Sequence, residues 1–107
     1  MRFDFDNFVK AGYPKKEVYL AFFMFLAHLL LTALSVGRSN ISREEILQMA
    51  NSHYSDYFSK FEIEQVLDEF TSDKNGKKPL LALTSSGYVV PTEHFGLCVK
   101  GSSGKTI

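Results

Sequence analysis

The longest apolar stretch of the chain covers residues 18–37, VYLAFFMFLAHLLLTALSVG, in which only His28 can carry a charge. The stretch is longer than a typical strand and rich in Leu, Ala, Met and Phe. We therefore expect a helix over residues 15–36, with Gly37 just past its end. A surface helix of a globular protein is normally polar along one side. This helix is apolar nearly all the way round, so it needs cover on every side.

Two shorter helices follow, and each has a capping box, in which a Ser is followed three residues later by a Glu. Ser42 precedes a helix that we expect over residues 43–52. Ser59 precedes another, expected over residues 60–72. In this last helix the apolar residues recur at helical spacing along one side. They are Ile63, Val66, Leu67 and Phe70.

The second half of the chain contains two short apolar runs, residues 80–84 and 88–90, joined by Ser85-Ser86-Gly87. This composition and spacing predict a β-hairpin. Residues 92–99 are expected to continue as an extended or short helical segment. Before the long helix, Asp6 is expected to cap a short helical turn. The sequence therefore predicts a mainly α structure with a small β-hairpin, in the α+β class.

Length and composition indicate one domain over residues 1–100, followed by a flexible tail over residues 101–107. The 12 basic and 12 acidic residues cancel, so any binding to nucleic acid or an acidic membrane must come from a local patch. The single cysteine, Cys98, excludes an intramolecular disulfide and fits a reducing compartment, so we expect a cytoplasmic protein. We expect Cys98 to be a small buried apolar residue.

The order of apolar helix, capped helix, helix and hairpin resembles the winged-helix variant of the helix-turn-helix over about residues 27–90. The stretches that carry the resemblance are LLLTALS, ISREEILQMA, FEIEQVLDEF and LLALTSSGYVV. The resemblance implies a winged helix-turn-helix whose first helix is long and apolar. It also implies that the third helix enters the DNA major groove, while the wing touches backbone or minor groove.

The charges of this third helix do not suit DNA, because phosphate contacts need Lys or Arg. Its solvent side has Lys60 as its one basic residue. The acidic residues there are Glu62, Glu64, Asp68 and Glu69. The residues best suited to contact DNA lie in the first turn of the helix and in the loop after it. They are Ser59, Lys60, Lys74, Lys77 and Lys78.

No spacing of nucleophile, base and acid predicts a catalytic site, so we expect no enzyme activity and no cofactor. His53 and His94 have Asp56, Glu93 and Cys98 near them in the sequence, but their spacing matches no zinc pattern, and we expect no metal. His28 is expected to be a core histidine, hydrogen-bonded to a carbonyl or hydroxyl.

A domain of this size covers only part of an all-round apolar helix, and soluble monomers avoid large exposed apolar patches. We therefore expect a homodimer through residues 15–37, or another partner there. The expected interface residues are Phe22, Phe25, Leu26, Leu29 and Leu30. The run is long enough to cross a bilayer, but Glu17, His28 and the helix entry at residues 12–14 favour burial in protein over lipid.

Two functions remain open. The first, which the resemblance favours and which we expect, is a dimeric DNA-binding transcriptional regulator. The second is a protein–protein interaction module, such as an adaptor or inhibitor, whose acidic third helix binds a partner without any role for DNA. The acidic residues of the third helix favour this second function.

Overall fold

The computed structural model describes residues 2–38 and 41–100, which form five α-helices and five short strands. The helices are α1 (Phe5–Lys10), α2 (Glu17–Ser35), α3 (Arg43–Tyr54), α4 (Lys60–Phe70) and α5 (Glu93–Cys98). The strands are β1 (Arg2–Phe3), β2 (Ile41–Ser42), β3 (Leu81–Leu83), β4 (Tyr88–Pro91) and β5 (Val99–Lys100). A 3₁₀ turn (Lys74–Gly76) lies between α4 and β3. The structure is mixed α and β, compatible with the expected α+β class. The expected tail, residues 101–107, lies outside the described residues.

The predicted hairpin is confirmed as the antiparallel pair β3–β4, in which Leu83 lies opposite Val89. Strand β2, which was not predicted, pairs antiparallel with the other edge of β4 and places Ile41 opposite Val89. The three strands thus form a sheet in the order β2-β4-β3. A second antiparallel pair, β1 with β5, joins the two ends of the described chain, with Phe3 opposite Val99.

Both predicted capping boxes are present. The hydroxyl oxygen of Ser42 accepts a hydrogen bond from the backbone N–H of Glu45, and Ser59 accepts one from Glu62. In each box the Glu side chain accepts a bond from the Ser backbone N–H in return. The starts of α3 and α4 were therefore predicted correctly, since they depend on residues that are close in sequence.

The cap of α1 was predicted wrongly. Asp4, not Asp6, precedes the helix, and its carboxylate accepts a hydrogen bond from the backbone N–H of Asn7. The backbone N–H of Asp4 donates to the Cys98 carbonyl oxygen at 2.8 Å. This contact with the far end of the chain helps to fix Asp4 as the residue at which α1 begins.

Helix α2 is fully buried along one side, and several of its flanking residues are half-buried. Its buried side chains are Phe22, Phe23, Leu26, Ala27, Leu30 and Ala33. On the opposite side His28 and Thr32 are exposed, which corrects the expectation that His28 is a core residue. The His28 ring instead lies edge-on to Phe3, with the ring centres 6.2 Å apart. No helix in the described ranges has both the length and the hydropathy needed to cross a bilayer.

The centre of the core is a cluster of aromatic rings around Phe70, the last residue of α4, whose side chain is fully buried. Its ring centre lies 5.1 Å from that of Tyr13, 5.9 Å from that of Phe8 and 6.0 Å from that of Phe22. Aromatic pairs at such distances add to the free energy gained by burial. Phe70 therefore connects α4 to α1, α2 and the loop between them.

We expect Phe70→Ala to lower the free energy of unfolding by about 3–5 kcal/mol, because it removes a large buried ring and leaves a cavity. The matched control is Phe61→Ala, which changes the same residue type on the same helix where 78% of the side chain is exposed. Urea unfolding followed by circular dichroism measures both variants. Similar losses in the two would contradict the central role of Phe70.

Candidate functional site

The outward side of α4 is a polar face with one large aromatic residue. Because Ile63, Val66, Leu67 and Phe70 point into the core, the residues between them face solvent. The exposed residues are Lys60, Phe61, Glu62, Glu64, Gln65 and Asp68. This side borders an open groove of about 420 Å³, the α4 groove. Its lining is Phe61, Glu64, Gln65, Asp68, Glu69, Ser72, Lys74, Asn75 and Lys77.

Two of the cations near the α4 groove are already paired with its carboxylates. The Arg43 guanidinium of α3 donates to Asp68 at 2.7 Å. The Lys77 ammonium donates to Glu69, also at 2.7 Å. The Glu64 carboxylate forms no hydrogen bond or close ion pair within the described part of the chain. The groove therefore presents two ionised side chains without a close ion pair among the described residues, Glu64 beside the exposed ring of Phe61 and Lys74 in the 3₁₀ turn.

Glu69 joins three parts of the structure at the edge of the groove. Its two carboxylate oxygens accept hydrogen bonds from Lys77 in the loop and from the Tyr19 hydroxyl of α2. Burial opposes ionisation of Glu69, but these two donors outweigh it and lower the pKa of the carboxyl group. Burial, followed by the bond to Glu69, raises the pKa of Tyr19 to about 12.

The five residues predicted to contact DNA do not form one surface. The Ser59 hydroxyl caps α4, and Lys77 is paired with Glu69. Lys60 is exposed in the first turn of α4, and Lys74 lines the α4 groove. Lys78 lines a separate cleft against α1, where its backbone N–H donates to the Ala11 carbonyl oxygen at 2.8 Å.

The hairpin adds no positive charge, because the segment from Leu81 to Pro91 contains no charged residue. The turn between its strands holds Thr84, Ser85, Ser86 and Gly87, and the Gly87 N–H donates to the Thr84 carbonyl oxygen. Gly87 has a φ of +85°, a left-handed conformation that glycine adopts without strain. The tip of the hairpin is thus neutral and hydroxyl-rich.

The five residues predicted to form a dimer interface divide into two groups. Phe22, Leu26 and Leu30 are buried in the core of their own chain, which corrects their assignment to an outer surface. Phe25 and Leu29 are partly exposed and line an open groove of about 640 Å³ between α2 and α3. The rest of this α2–α3 groove is lined by His28, Thr32, Met49, Ser52 and His53.

Cys98 is buried, as expected for a small apolar residue. Burial, with a smaller contribution from Asp4, raises the pKa of its thiol to about 11, which disfavours the reactive thiolate. Across residues 2–38 and 41–100, no group of three His, Cys, Asp or Glu residues is placed to hold a metal ion.

In comparison with known proteins, the chain matches no family model, and no curated protein or solved structure is significantly similar to it.

We expect Glu69→Gln to lower the free energy of unfolding by about 1 kcal/mol at pH 7, because it weakens the charged bond from Lys77. The pKa of Glu69 is lower in the folded state than its ordinary value of 4.5. The stabilisation that the Glu69 carboxylate provides is therefore complete above pH 4.5. It is lost as the pH falls through the folded-state pKa.

Urea midpoints at pH 7, 5 and 3 test this pH dependence. The difference between wild type and Glu69→Gln should persist at pH 5 and shrink at pH 3. Glu64→Gln, an exposed carboxylate on the same helix, serves as the control and should change the midpoints little. A Glu69→Gln difference that grows on acidification would contradict the assigned pairing.

Proposed function

We propose that the chain is a winged-helix protein that acts as an interaction module, with α4 as its docking helix. The order α2, β2, α3, α4, β3 and β4 supports the fold assignment. The sheet order also supports the fold assignment, because β2 adds a third strand beside the hairpin formed by β3 and β4. In this assignment α4 occupies the position of the helix that enters the major groove in DNA-binding winged helices, and the hairpin is the wing.

The single observation that carries the proposed function is the charge of α4. Glu64 is available, Asp68 and Glu69 draw the nearby cations into pairs, and the hairpin is neutral. Along α4 itself Lys60 is the one basic residue, against Glu62, Glu64, Asp68 and Glu69, so the helix does not attract a DNA phosphate backbone. A partner protein with Lys or Arg residues around an apolar pocket would instead be attracted, since its pocket can receive Phe61 and its cations can meet Glu64.

We further propose that a second copy of the chain covers the α2–α3 groove. The residues that line this groove include no Lys, Arg, Asp or Glu, so the face can pack against itself without burying an ammonium, guanidinium or carboxylate group. Met49 is 38% exposed at its edge, and Phe25 and Leu29 supply further apolar surface. A two-fold dimer uses such a self-complementary patch on both copies.

The test of α4 docking is Glu64→Lys, which places a positive charge where a basic partner would bind. The tagged chain captures its partner from cells that produce it, and the affinity for the purified partner is then measured. We expect Glu64→Lys to weaken binding at least tenfold and Phe61→Ala to weaken it as well. Asp56→Lys, the same charge change in the exposed turn after α3, should leave binding unchanged. Equal affinities for wild type and Glu64→Lys would contradict the proposal.

A DNA-binding regulator is the second candidate, favoured by the exposed Lys60 and Lys74 near the two ends of α4. A salt titration of duplex binding separates it from the first. If α4 binds DNA, the affinity should fall steeply as the salt concentration rises. Lys60→Gln should then reduce the slope of the logarithm of the binding constant against the logarithm of the salt concentration by about one. If no duplex binding occurs at low salt, the DNA candidate is eliminated.

Sedimentation at micromolar concentration tests the dimer. We expect a particle of twice the 12.1 kDa protomer mass. Met49→Glu should shift the equilibrium to the monomer, because it places a charge in the apolar interface. Leu83→Glu makes a similar change on β3, where the Leu side chain is 50% exposed, and should leave the dimer intact. A wild-type monomer throughout this range would refute the assembly.

A further inference from the structure

A small cleft outside the α4 and α2–α3 grooves is lined by three cationic or potentially cationic residues. It has a volume of about 190 Å³ and lies between α1, α5 and the loop before β3. Helix α1 contributes Lys10, the loop contributes Lys78 and α5 contributes His94. We refer to it as the lysine cleft. Its remaining lining residues are Asn7, Ala11 and Leu97.

The walls of the lysine cleft are held together by bonds between segments that are distant in sequence. The backbone N–H of Lys78 donates to the Ala11 carbonyl oxygen at 2.8 Å. The Asn7 side-chain amide donates to the Leu97 carbonyl oxygen at 3.0 Å. These two bonds join α1 to the loop and to α5. The cleft is therefore preorganised, which reduces the conformational entropy that a ligand must overcome on binding.

The backbone carbonyls around the cleft already have donors. At the end of α1, the Val9 carbonyl accepts from Gly12, the Phe8 carbonyl from Tyr13 and the Ala11 carbonyl from Lys78. At the end of α5 the Leu97 carbonyl accepts from Asn7. These bonds satisfy part of the negatively polarised ends of both helices. The side chains of Lys10, Lys78 and His94 supply N–H donors in the lining of the cleft.

The charges around the cleft also favour an anion. Lys10 and Lys78 are exposed, and neither forms an ion pair within the described ranges. Of the nearby carboxylates, Asp6 and Glu93 are exposed and do not line the cleft, while the Asp4 carboxylate accepts hydrogen bonds from the backbone and side-chain N–H groups of the lining residue Asn7. Asp6 borders a different cavity, which also contacts Lys10. His94 can donate a ring N–H in either protonation state.

We propose that the lysine cleft binds the phosphate group of a small phosphate monoester. Lysine binds phosphate as a flexible point charge, and two lysines with a histidine can surround the oxygens of one group. The volume suits a phosphate and the first atoms attached to it better than a whole drug-sized ligand. Leu97, which is half exposed, offers apolar contact to the organic part. This site shares no residue with the α4 groove and does not depend on the proposed function.

The test is a titration of the full chain with inorganic phosphate and with glycerol phosphate, followed by NMR of the backbone amides. We expect saturable shifts centred on Asn7, Ala11 and Leu97. Lys10→Gln and Lys78→Gln should each raise the dissociation constant at least fivefold. Lys16→Gln, which changes an exposed lysine just before α2 and outside the lining of the cleft, should not change it. Both cleft lysines are exposed, and unchanged urea midpoints will verify that the variants fold.

Shifts that do not saturate, or an equal effect of Lys16→Gln, would overturn the site. A parallel titration with a short DNA duplex separates a monoester from a phosphodiester. If the duplex binds through Lys10 and Lys78 while inorganic phosphate and glycerol phosphate do not bind, the small-ligand proposal is overturned. If phosphate binds and the duplex neither binds nor displaces it, the proposal is supported.

Discussion

The packing of the Phe70 ring against Phe8, Tyr13 and Phe22 determines which side of α4 reaches solvent. Once Phe70 enters this cluster, helical spacing also turns Leu67, Val66 and Ile63 inward, which lie three, four and seven positions before it. The positions between them, which carry the acidic residues and Phe61, must then face outward. The acidic face of α4 is therefore a direct consequence of its core contacts, and rotating it away would remove Phe70 from the core.

The same cluster organises the loops near it. Tyr13 packs on Phe70, and its hydroxyl donates to the Lys78 carbonyl oxygen at 2.9 Å. Gly12, beside it, has a φ of +105°, and a Cβ there would lie 3.0 Å from Lys77 Cγ and 3.2 Å from Lys77 Cα. This close approach of the two loops requires glycine. It brings Lys78 to the end of α1 and forms one wall of the lysine cleft.

Features specified by neighbouring residues were predicted well, and features specified by distant contacts were not. The capping boxes at Ser42 and Ser59 and the β3–β4 hairpin each depend on a few consecutive residues. Strand β2 is only two residues long and exists through its pairing with β4, so its own sequence gave no signal. The cap at Asp4 was missed for a related reason, since its backbone is bonded to Cys98.

The candidate sites were harder to predict than the fold, because they depend on how charges and apolar residues are arranged in space. Composition around His28 is apolar, yet the residue lies on the exposed side of α2, and helical composition alone does not say which side the domain covers. The lysines predicted to contact DNA were chosen largely because three of them lie close together in the sequence. The fold pairs Lys77 with Glu69 and places Lys78 in a cleft with Lys10, a residue from the other end of the chain.

A neutral chain can still offer surfaces of different charge if folding separates its ionised groups. Here the α4 groove presents Glu64 together with Lys74, the lysine cleft presents Lys10 and Lys78, and the α2–α3 groove has no Lys, Arg, Asp or Glu in its lining. The three surfaces have no residue in common. Self-association through the uncharged groove would therefore use none of the residues proposed to bind a basic partner or an anion. It would also double the number of charged sites in the assembly, which strengthens binding to a partner with repeated sites through multivalency.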